Sequence, residues 1–218
     1  SRNLFNKINP NLIECTTTEA EFAKLVCNAY RYFEFAVTNQ LYMLVESYGV
    51  DYNQLLKIIK KDYPRLQSMP GPGFAGGPCL MKDTSQLFSL GKQKFPLGVL
   101  AVAINESLPN FIIDKLKQKY GSIYNKKIGI MGMAFKAESD DIRESLSYKL
   151  AKLLIHEQCK IYYTDEYVRD SRFISKEDLL SKVEIVIVGV AHKAYKNIKP
   201  PKGVYVIDLW NCLAKNDF

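Results

Sequence analysis

The sequence predicts an all-helical first half followed by a second half of parallel α/β type. Three observations predict it: a helical signal from Thr16 to about Tyr120, a change after Gly121 to short β-branched and aromatic runs alternating with helical stretches, and a proline- and glycine-rich segment, Tyr63 to Cys79, that punctuates the first half. Thr18 with Glu21 fits the S/T-x-x-E capping box, so a helix is expected to open there. Phe22, Leu25, Val26, Ala29, Phe33, Ala36, Val37, Leu41, Leu44 and Tyr48 continue it as one apolar stripe, with Lys24, Asn28, Phe35 and Tyr42 on the opposite face. Gly49 reads as its stop, and Asp51 as the cap of a shorter helix through Lys60. The segment Tyr63 to Cys79 carries Pro64, Pro70, Pro72 and Pro78 and must be a shaped loop, with a helix beginning near Thr84. A further helical pattern starts at Pro96 and runs toward Lys119, interrupted or kinked at Pro109.

Beyond Gly121, Lys127 to Gly132 reads as a buried strand and Glu144 to His156 as a helix. Lys160 to Asp165, Val183 to Gly189 and Gly203 to Asp208 read as three further strands. Strands alternating with helical segments predict βαβ units and a Rossmann-like parallel sheet. The expected division is residues 1–121, helical and carrying a long dimerisation-type helix, and residues 122–218, Rossmann-like.

Composition narrows the function class. Hydrophobic residues at 47% and charged residues at 24% are globular proportions. The longest strongly apolar run, Val183 to Ala191, falls short of the ~20 residues that span a bilayer, and no signal-peptide pattern opens the chain, so a cytoplasmic location without membrane partners is expected. Five cysteines, an odd number without a C-x-x-C pair, read as reduced thiols, and no metal site is expected. The net charge of +7 is spread along the chain. Its densest cluster, Lys57 to Lys61, reads as a solvated helix edge rather than a nucleic-acid surface, and a basic surface also suits a diphosphate.

The segment Gly71-Pro-Gly-Phe-Ala-Gly-Gly-Pro-Cys79-Leu-Met-Lys82-Asp83-Thr84 carries the most chemistry. Its glycines permit close backbone approach to a ligand. A thiol near a helix amino end and two lysines tends toward the thiolate, although composition alone leaves an inert buried cysteine equally open. Lys24 and Asn28 share one face of the long helix. The stretch Gly129-Ile-Met-Gly132 invites a dinucleotide-binding reading, but G-x-G-x-x-G is absent, and Asp165 lies beyond the ~20-residue spacing of an NAD fingerprint.

The cysteine segment resembles the G-x-G-F-G-G-S-C-x-x-K-D motif of the UDP-glucose/GDP-mannose dehydrogenase family, with one residue more and Pro78 in place of serine or histidine. Glu19-Ala-Glu-Phe-Ala-Lys24-Leu-Val-Cys-Asn28 is similar to the family's E-A-E-x-x-K-x-x-x-N helix. Gly132-Met-Ala-Phe135-Lys136-Ala-Glu-Ser-Asp140-Asp141-Ile-Arg143-Glu-Ser is similar to its G-x-A-F-K-x-x-T-D-D-x-R-E-S. Asp62-Tyr-Pro-Arg65 corresponds to its D-x-R, and Asp208-Leu-Trp210-Asn211 stands where many members have D-G-R-N.

The resemblance implies two successive hydride transfers to NAD at C6 of a UDP-sugar, with a cysteine thioester between them. It assigns Cys79 as nucleophile, Lys24 and Asn28 to the C6 oxygen, and Asp83 to water or proton transfer. Gly71, Gly73, Phe74, Phe135 and Lys136 would contact the UDP-sugar, Arg65 the substrate of a neighbouring subunit, and Lys82 and Arg143 the cofactor. Phe35 and Tyr42 on the second face of the long Thr18–Tyr48 helix predict a homodimer through it, and the resemblance implies that NAD is held mainly by an amino-terminal domain outside these residues, so that these 218 residues alone oxidise nothing. Lys82-Asp83 favours UDP-glucose; UDP-N-acetylhexosamines, GDP-mannose and a non-catalytic binding module are the alternatives.

Overall fold

The computed structural model describes residues 2–9, 11–91 and 94–214. A short helix α1 (Arg2–Phe5) precedes the long α2 (Thr17–Ser47). Three consecutive threonines offer two overlapping capping boxes, and Thr16 with Glu19 is the one formed. The Thr16 hydroxyl accepts from the Glu19 N–H at 3.2 Å, and Glu19 Oε2 accepts from the Thr16 N–H at 2.7 Å, satisfying two orphan donors at once. The helix therefore opens two residues before the expected Thr18 box. It stops where expected, with Gly49 at φ +75°. Asp51 caps α3 (Tyr52–Lys60), accepting from the Gln54 N–H at 3.1 Å.

The proline-rich segment is a loop apart from one 3-10 turn, Pro64–Leu66. Helix α4 (Leu80–Gly91) begins at Leu80 rather than near Thr84, so Cys79 stands immediately before its first turn. Helix α5 (Pro96–Tyr120) runs unbroken through Pro109, contrary to the expected interruption. By length and composition α5 is apolar enough to cross a membrane, but it packs against α2, α4 and α6 and buries Ala101, Leu108, Ile112 and Leu116.

The orientation of α2 is turned from the expected stripe toward the Lys24 face, with Leu25, Ala29 and Ala36 of the stripe still buried. Its packed face carries Leu25, Ala29, Tyr32, Ala36, Asn39 and Tyr42, next to Lys24, Asn28 and Phe35. Phe22, Val26, Tyr30, Val37, Leu41 and Leu44 are exposed. Ala29 and Ala36 on the packed face let α4 and α5 approach, and the bulkier members of the stripe are left outside.

The second half is a four-stranded parallel sheet in the order β2-β1-β3-β4: β1 (Lys127–Met131), β2 (Lys160–Thr164), β3 (Ile185–Val188) and β4 (Tyr205–Asp208). Helix α6 (Leu146–His156) covers one face. Helix α7 (Lys176–Lys182), which periodicity had not revealed, covers the other and is capped by Ser175. Alternate residues of β3 divide between them, Ile185 and Ile187 facing the α6 side, Val186 and Val188 the α7 side. The α6-side core continues through Leu108 and Ile112 to Tyr42 and Tyr52, so helical and α/β parts share one apolar interior.

Candidate active site

In a parallel sheet, ligands gather outside the carboxyl ends of the strands where the winding direction reverses. Here that point lies between β1 and β3. A cavity of about 530 Å³ opens there, walled by Phe135 and Lys136 after β1, Val190 and Ala191 after β3, and Trp210 after β4. The helical half closes it with Asn28, Arg31 and Phe35 of α2 and the Phe74–Leu80 loop, including Cys79. A hollow of about 670 Å³ beyond β2 is larger, but its lining holds no thiol and none of the motif residues.

Asp83 is the hub of the catalytic-type groups. It lies on the first turn of α4, where its backbone N–H donates to the Cys79 carbonyl at 2.8 Å. Its Oδ2 accepts from Lys24 Nζ at 2.9 Å and Asn28 Nδ2 at 2.6 Å. Lys24 and Asn28 are thus brought to the residues around Cys79 through one carboxylate. Burial pushes the Asp83 pKa up, but these two hydrogen bonds and the charges of Lys24 and Lys82 outweigh it and hold it below the usual value. Lys24 is raised, first by its hydrogen bond to Asp83, and the charge of Cys79 adds in the same direction. Asp83 Oδ1 is buried without a hydrogen-bond partner among the described residues. Lys24 has three donors and Asn28 two, so after serving Asp83 Lys24 keeps two and Asn28 one.

The cysteine loop is held from behind by groups that motif reading missed. Asn39 Nδ2 donates to the Gly73 carbonyl at 3.0 Å, and its Oδ1 accepts from the Gly73 N–H at 2.9 Å. The same amide nitrogen donates to Asn105 Oδ1 at 2.9 Å, and Asn105 Nδ2 to the Tyr32 carbonyl at 3.1 Å. The signal was present: Asn39 continues the spacing Leu25, Ala29, Tyr32, Ala36, a polar residue on a buried stripe. Gly73 is required because a Cβ there would meet the Trp210 ring. Gly77, at φ +102°, lies against Phe135 and donates its N–H to the Glu144 carbonyl at 3.1 Å.

Of the residues named from sequence, Asn28, Phe74, Cys79, Phe135, Lys136 and Arg143 line the cavity. Gly73 supports it beneath Trp210, and Lys24 and Asp83 adjoin it through Asn28. Arg143 pairs with Asp141 at 2.7 Å. Gly71, Arg65 and Lys82 are outside the lining; Arg65 is exposed on the Pro64–Leu66 turn and Lys82 is exposed on α4. Trp210 forms a wall, its Nε1 donating to the Gly189 carbonyl at 2.9 Å and its ring edge-on to Phe35. Arg31 lines the cavity one helical turn beyond Asn28, which the sequence reading had not singled out.

The turn after β1 does not fit the pyrophosphate of NAD. In a dinucleotide site those backbone amides face the phosphates. Here Asp165 Oδ2 occupies them, accepting from the Met133 N–H at 2.6 Å and the Ala134 N–H at 3.0 Å.

Comparison with known proteins shows the family of the chain. Residues 18–107 match the model of the UDP-glucose/GDP-mannose dehydrogenase family central domain, and residues 129–215 that of its UDP-binding domain. An NDP-N-acetyl-D-galactosaminuronic acid dehydrogenase of Ralstonia solanacearum is 26% identical over 84% of this chain and 46% of its own length. A UDP-N-acetyl-D-mannosamine dehydrogenase of Methanocaldococcus jannaschii is 31% identical over 82% of this chain and 42% of its own. The solved UDP-D-ManNAc dehydrogenase of Pyrococcus horikoshii superposes with a TM-score of 0.81 at 25% identity, over 99% of this chain and 55% of that one. The chain spans about half the length of the relatives it matches.

Proposed function

Because the chain belongs to the UDP-glucose/GDP-mannose dehydrogenase family, we propose that it provides the nucleotide-sugar site and reactive thiol of an NAD-dependent UDP-sugar 6-dehydrogenase. The observation that carries this reading is the convergence of Cys79 and the Lys24–Asp83–Asn28 cluster on a cavity walled by Phe135, Lys136 and Trp210. NAD, when bound, supplies the hydride acceptor, and its pyrophosphate does not sit on the turn after β1, whose amides Asp165 occupies.

The protein's own groups divide the remaining work. The aromatic walls and Lys136 receive the nucleotide end of the substrate. Cys79, at the amino end of α4, adds as its thiolate to the C6 aldehyde to give a thiohemiacetal, which would become a thioester on loss of its C6 hydride to NAD. Lys24 and Asn28 direct their free donors at the oxygen on which negative charge develops. A carboxylate held at low pKa is a weak base. The unpartnered Asp83 Oδ1 therefore orients a water toward the thioester carbon rather than taking its proton outright. Attack by that water breaks the C6–S bond and gives the sugar carboxylate and the Cys79 thiolate, the two protons passing to solvent.

Lys82-Asp83 favours UDP-glucose. The names of the Ralstonia and Methanocaldococcus relatives favour a UDP-N-acetylhexosamine as the second reading. The exposed apolar stripe of α2 supports a homodimer, which would bring the partner's copy of the exposed Arg65 turn within the same assembly. A cytoplasmic enzyme is in keeping with the NAD chemistry.

Full-length protein assayed with NAD and UDP-glucose, UDP-N-acetylglucosamine, UDP-N-acetylmannosamine and GDP-mannose tests the reading. NADH release with one UDP-sugar is expected. Cys79→Ser should abolish uronate formation while UDP binding persists, and unchanged kcat in that variant would end the catalytic assignment. The 218-residue chain alone is expected to bind UDP weakly and to form no NADH.

A further inference from the structure

We propose that Asp165 and His192 are positioning residues that clamp both ends of the 133–138 loop and so pre-set Phe135 and Lys136 for the nucleotide end of the substrate. This rests on the UDP-sugar reading of the cavity. Neither residue lines that cavity, and neither belongs to the motifs that identify the family.

Asp165 follows β2 directly. Its Oδ1 accepts from the Tyr167 and Val168 N–H groups at 2.8 and 2.9 Å, which fixes the carboxylate on its own turn. Its Oδ2 then reaches across to the Met133 and Ala134 N–H groups at 2.6 and 3.0 Å, the start of the loop. His192, fully buried between the rings of Tyr167 and Tyr195, holds the other end. Its Nδ1 accepts from the Glu138 N–H at 3.1 Å. A nitrogen that accepts a backbone N–H carries no proton, so the proton is on Nε2, which lies 3.2 Å from Asp165 Oδ2 and donates to it.

One Asp–His pair thus closes a circuit around six residues whose middle members, Phe135 and Lys136, face the cavity. Glu138, at φ +57°, is the strained end of that circuit. It is further fixed by Tyr167 Oη donating to its Oε2 at 2.8 Å and by its Oε1 accepting from the Lys193 N–H at 2.9 Å. His192 also follows Val190 and Ala191, so the same ring ties the β1 and β3 walls of the cavity together. A loop ordered before binding saves the ligand the entropy of ordering it. The geometry resembles an anion site at a strand–loop junction with the protein's own carboxylate as the anion.

The test uses the 218-residue chain, with UDP as the probe in calorimetric titrations and amide hydrogen exchange read over residues 133–138. His192→Ala is expected to weaken UDP binding roughly tenfold, on the scale of one hydrogen bond lost from the site. It should also accelerate exchange at Glu138. His192→Gln, which offers an acceptor and a donor, should restore both. Binding in His192→Ala equal to wild type, or weakened binding without faster exchange at Glu138, overturns the clamp. So does His192→Gln failing to improve on His192→Ala in either measurement. Lys136→Ala serves as the control for the cavity itself. Weakening by Lys136→Ala alone sinks the clamp and leaves the UDP-sugar reading standing, whereas wild-type chain that does not bind UDP overturns that reading and this inference with it.

Discussion

Asn39 shows how much of the site depends on a single carboxamide. Its oxygen and nitrogen pair with the N–H and carbonyl of Gly73, which fixes the rotation of the loop just upstream of Cys79. Both backbone groups are buried, so truncating the side chain leaves a donor and an acceptor with neither water nor protein. Asn39→Ala is expected to cost roughly 1–3 kcal/mol by urea denaturation, on the scale of unsatisfied buried groups. In the full-length protein it should also lower kcat. An Asn39→Ala variant with unaltered midpoint and unaltered turnover would show that the loop holds itself. Asp83 illustrates the opposite condition, a buried carboxylate whose second oxygen has no hydrogen-bond partner among the described residues. A group left in that state is open to a ligand or a water.

At the scale of elements, α2 carries two faces of different purpose. The packed face meets α4 and α5 and supplies Lys24, Asn28 and Asn39 to the site. The other presents Phe22, Val26, Tyr30, Val37, Leu41 and Leu44 to solvent at spacings of three, four and seven residues, a continuous seam along the helix. Apolar seams of this kind mark interfaces, and the proposed dimer covers it. Val37→Glu with Leu41→Glu should convert a dimer to a monomer by light scattering without lowering the thermal midpoint measured at monomer concentrations. A wild-type mass equal to one chain at high concentration would remove the dimer. Helix α4 shows the complementary use of an element end: it starts at Leu80, so its first-turn N–H groups and their partial positive charge lie beside the Cys79 thiol.

For the whole molecule, the sheet order decides where chemistry can occur. The chain leaves β1 toward β2 and returns past it to β3, and the crevice between them receives the α2 face and the cysteine loop of the helical half. A continuous core through α5 and α6 holds the two walls in register. The same construction sets the acid stability. Burial raises the pKa of Asp165, but hydrogen bonds from His192 and from the Val168, Tyr167 and Met133 amides outweigh it and hold the group well below its usual value. A carboxylate with a lowered folded-state pKa stabilises the fold above the unfolded value of about 3.9, and that contribution is lost as pH falls below it. Thermal midpoints should be level between pH 7 and 5 and drop below about pH 4. Asp165→Asn should begin lower and lose less over the same acid range. Equal acid losses in the two proteins would mean that other carboxylates control the transition.

The sequence by itself determined the order of the elements apart from α1 and α7, because hydrophobic period, Gly49, Asp51 and the proline-rich loop are local signals. It also determined the family, through motifs whose residues are fixed by local backbone shape and reactive side-chain type. The particular cap at Thr16, the start of α4 at Leu80 and the passage of α5 through Pro109 lay beyond it, since neighbouring frames are nearly equal in local energy and packing selects among them. Which face of α2 turns inward was decided by tertiary structure. Counting apolar side chains centres the buried face on the whole stripe, whereas packing keeps its Leu25, Ala29 and Ala36 and adds Tyr32, Asn39 and Tyr42 from beside it. The Lys24–Asp83–Asn28 cluster, the Asn39–Gly73 pairing and the Asp165–His192 circuit join residues distant in the chain. Their hydrogen bonds exist only once the sheet and helices have set the separations, so no period or spacing along the sequence encodes them.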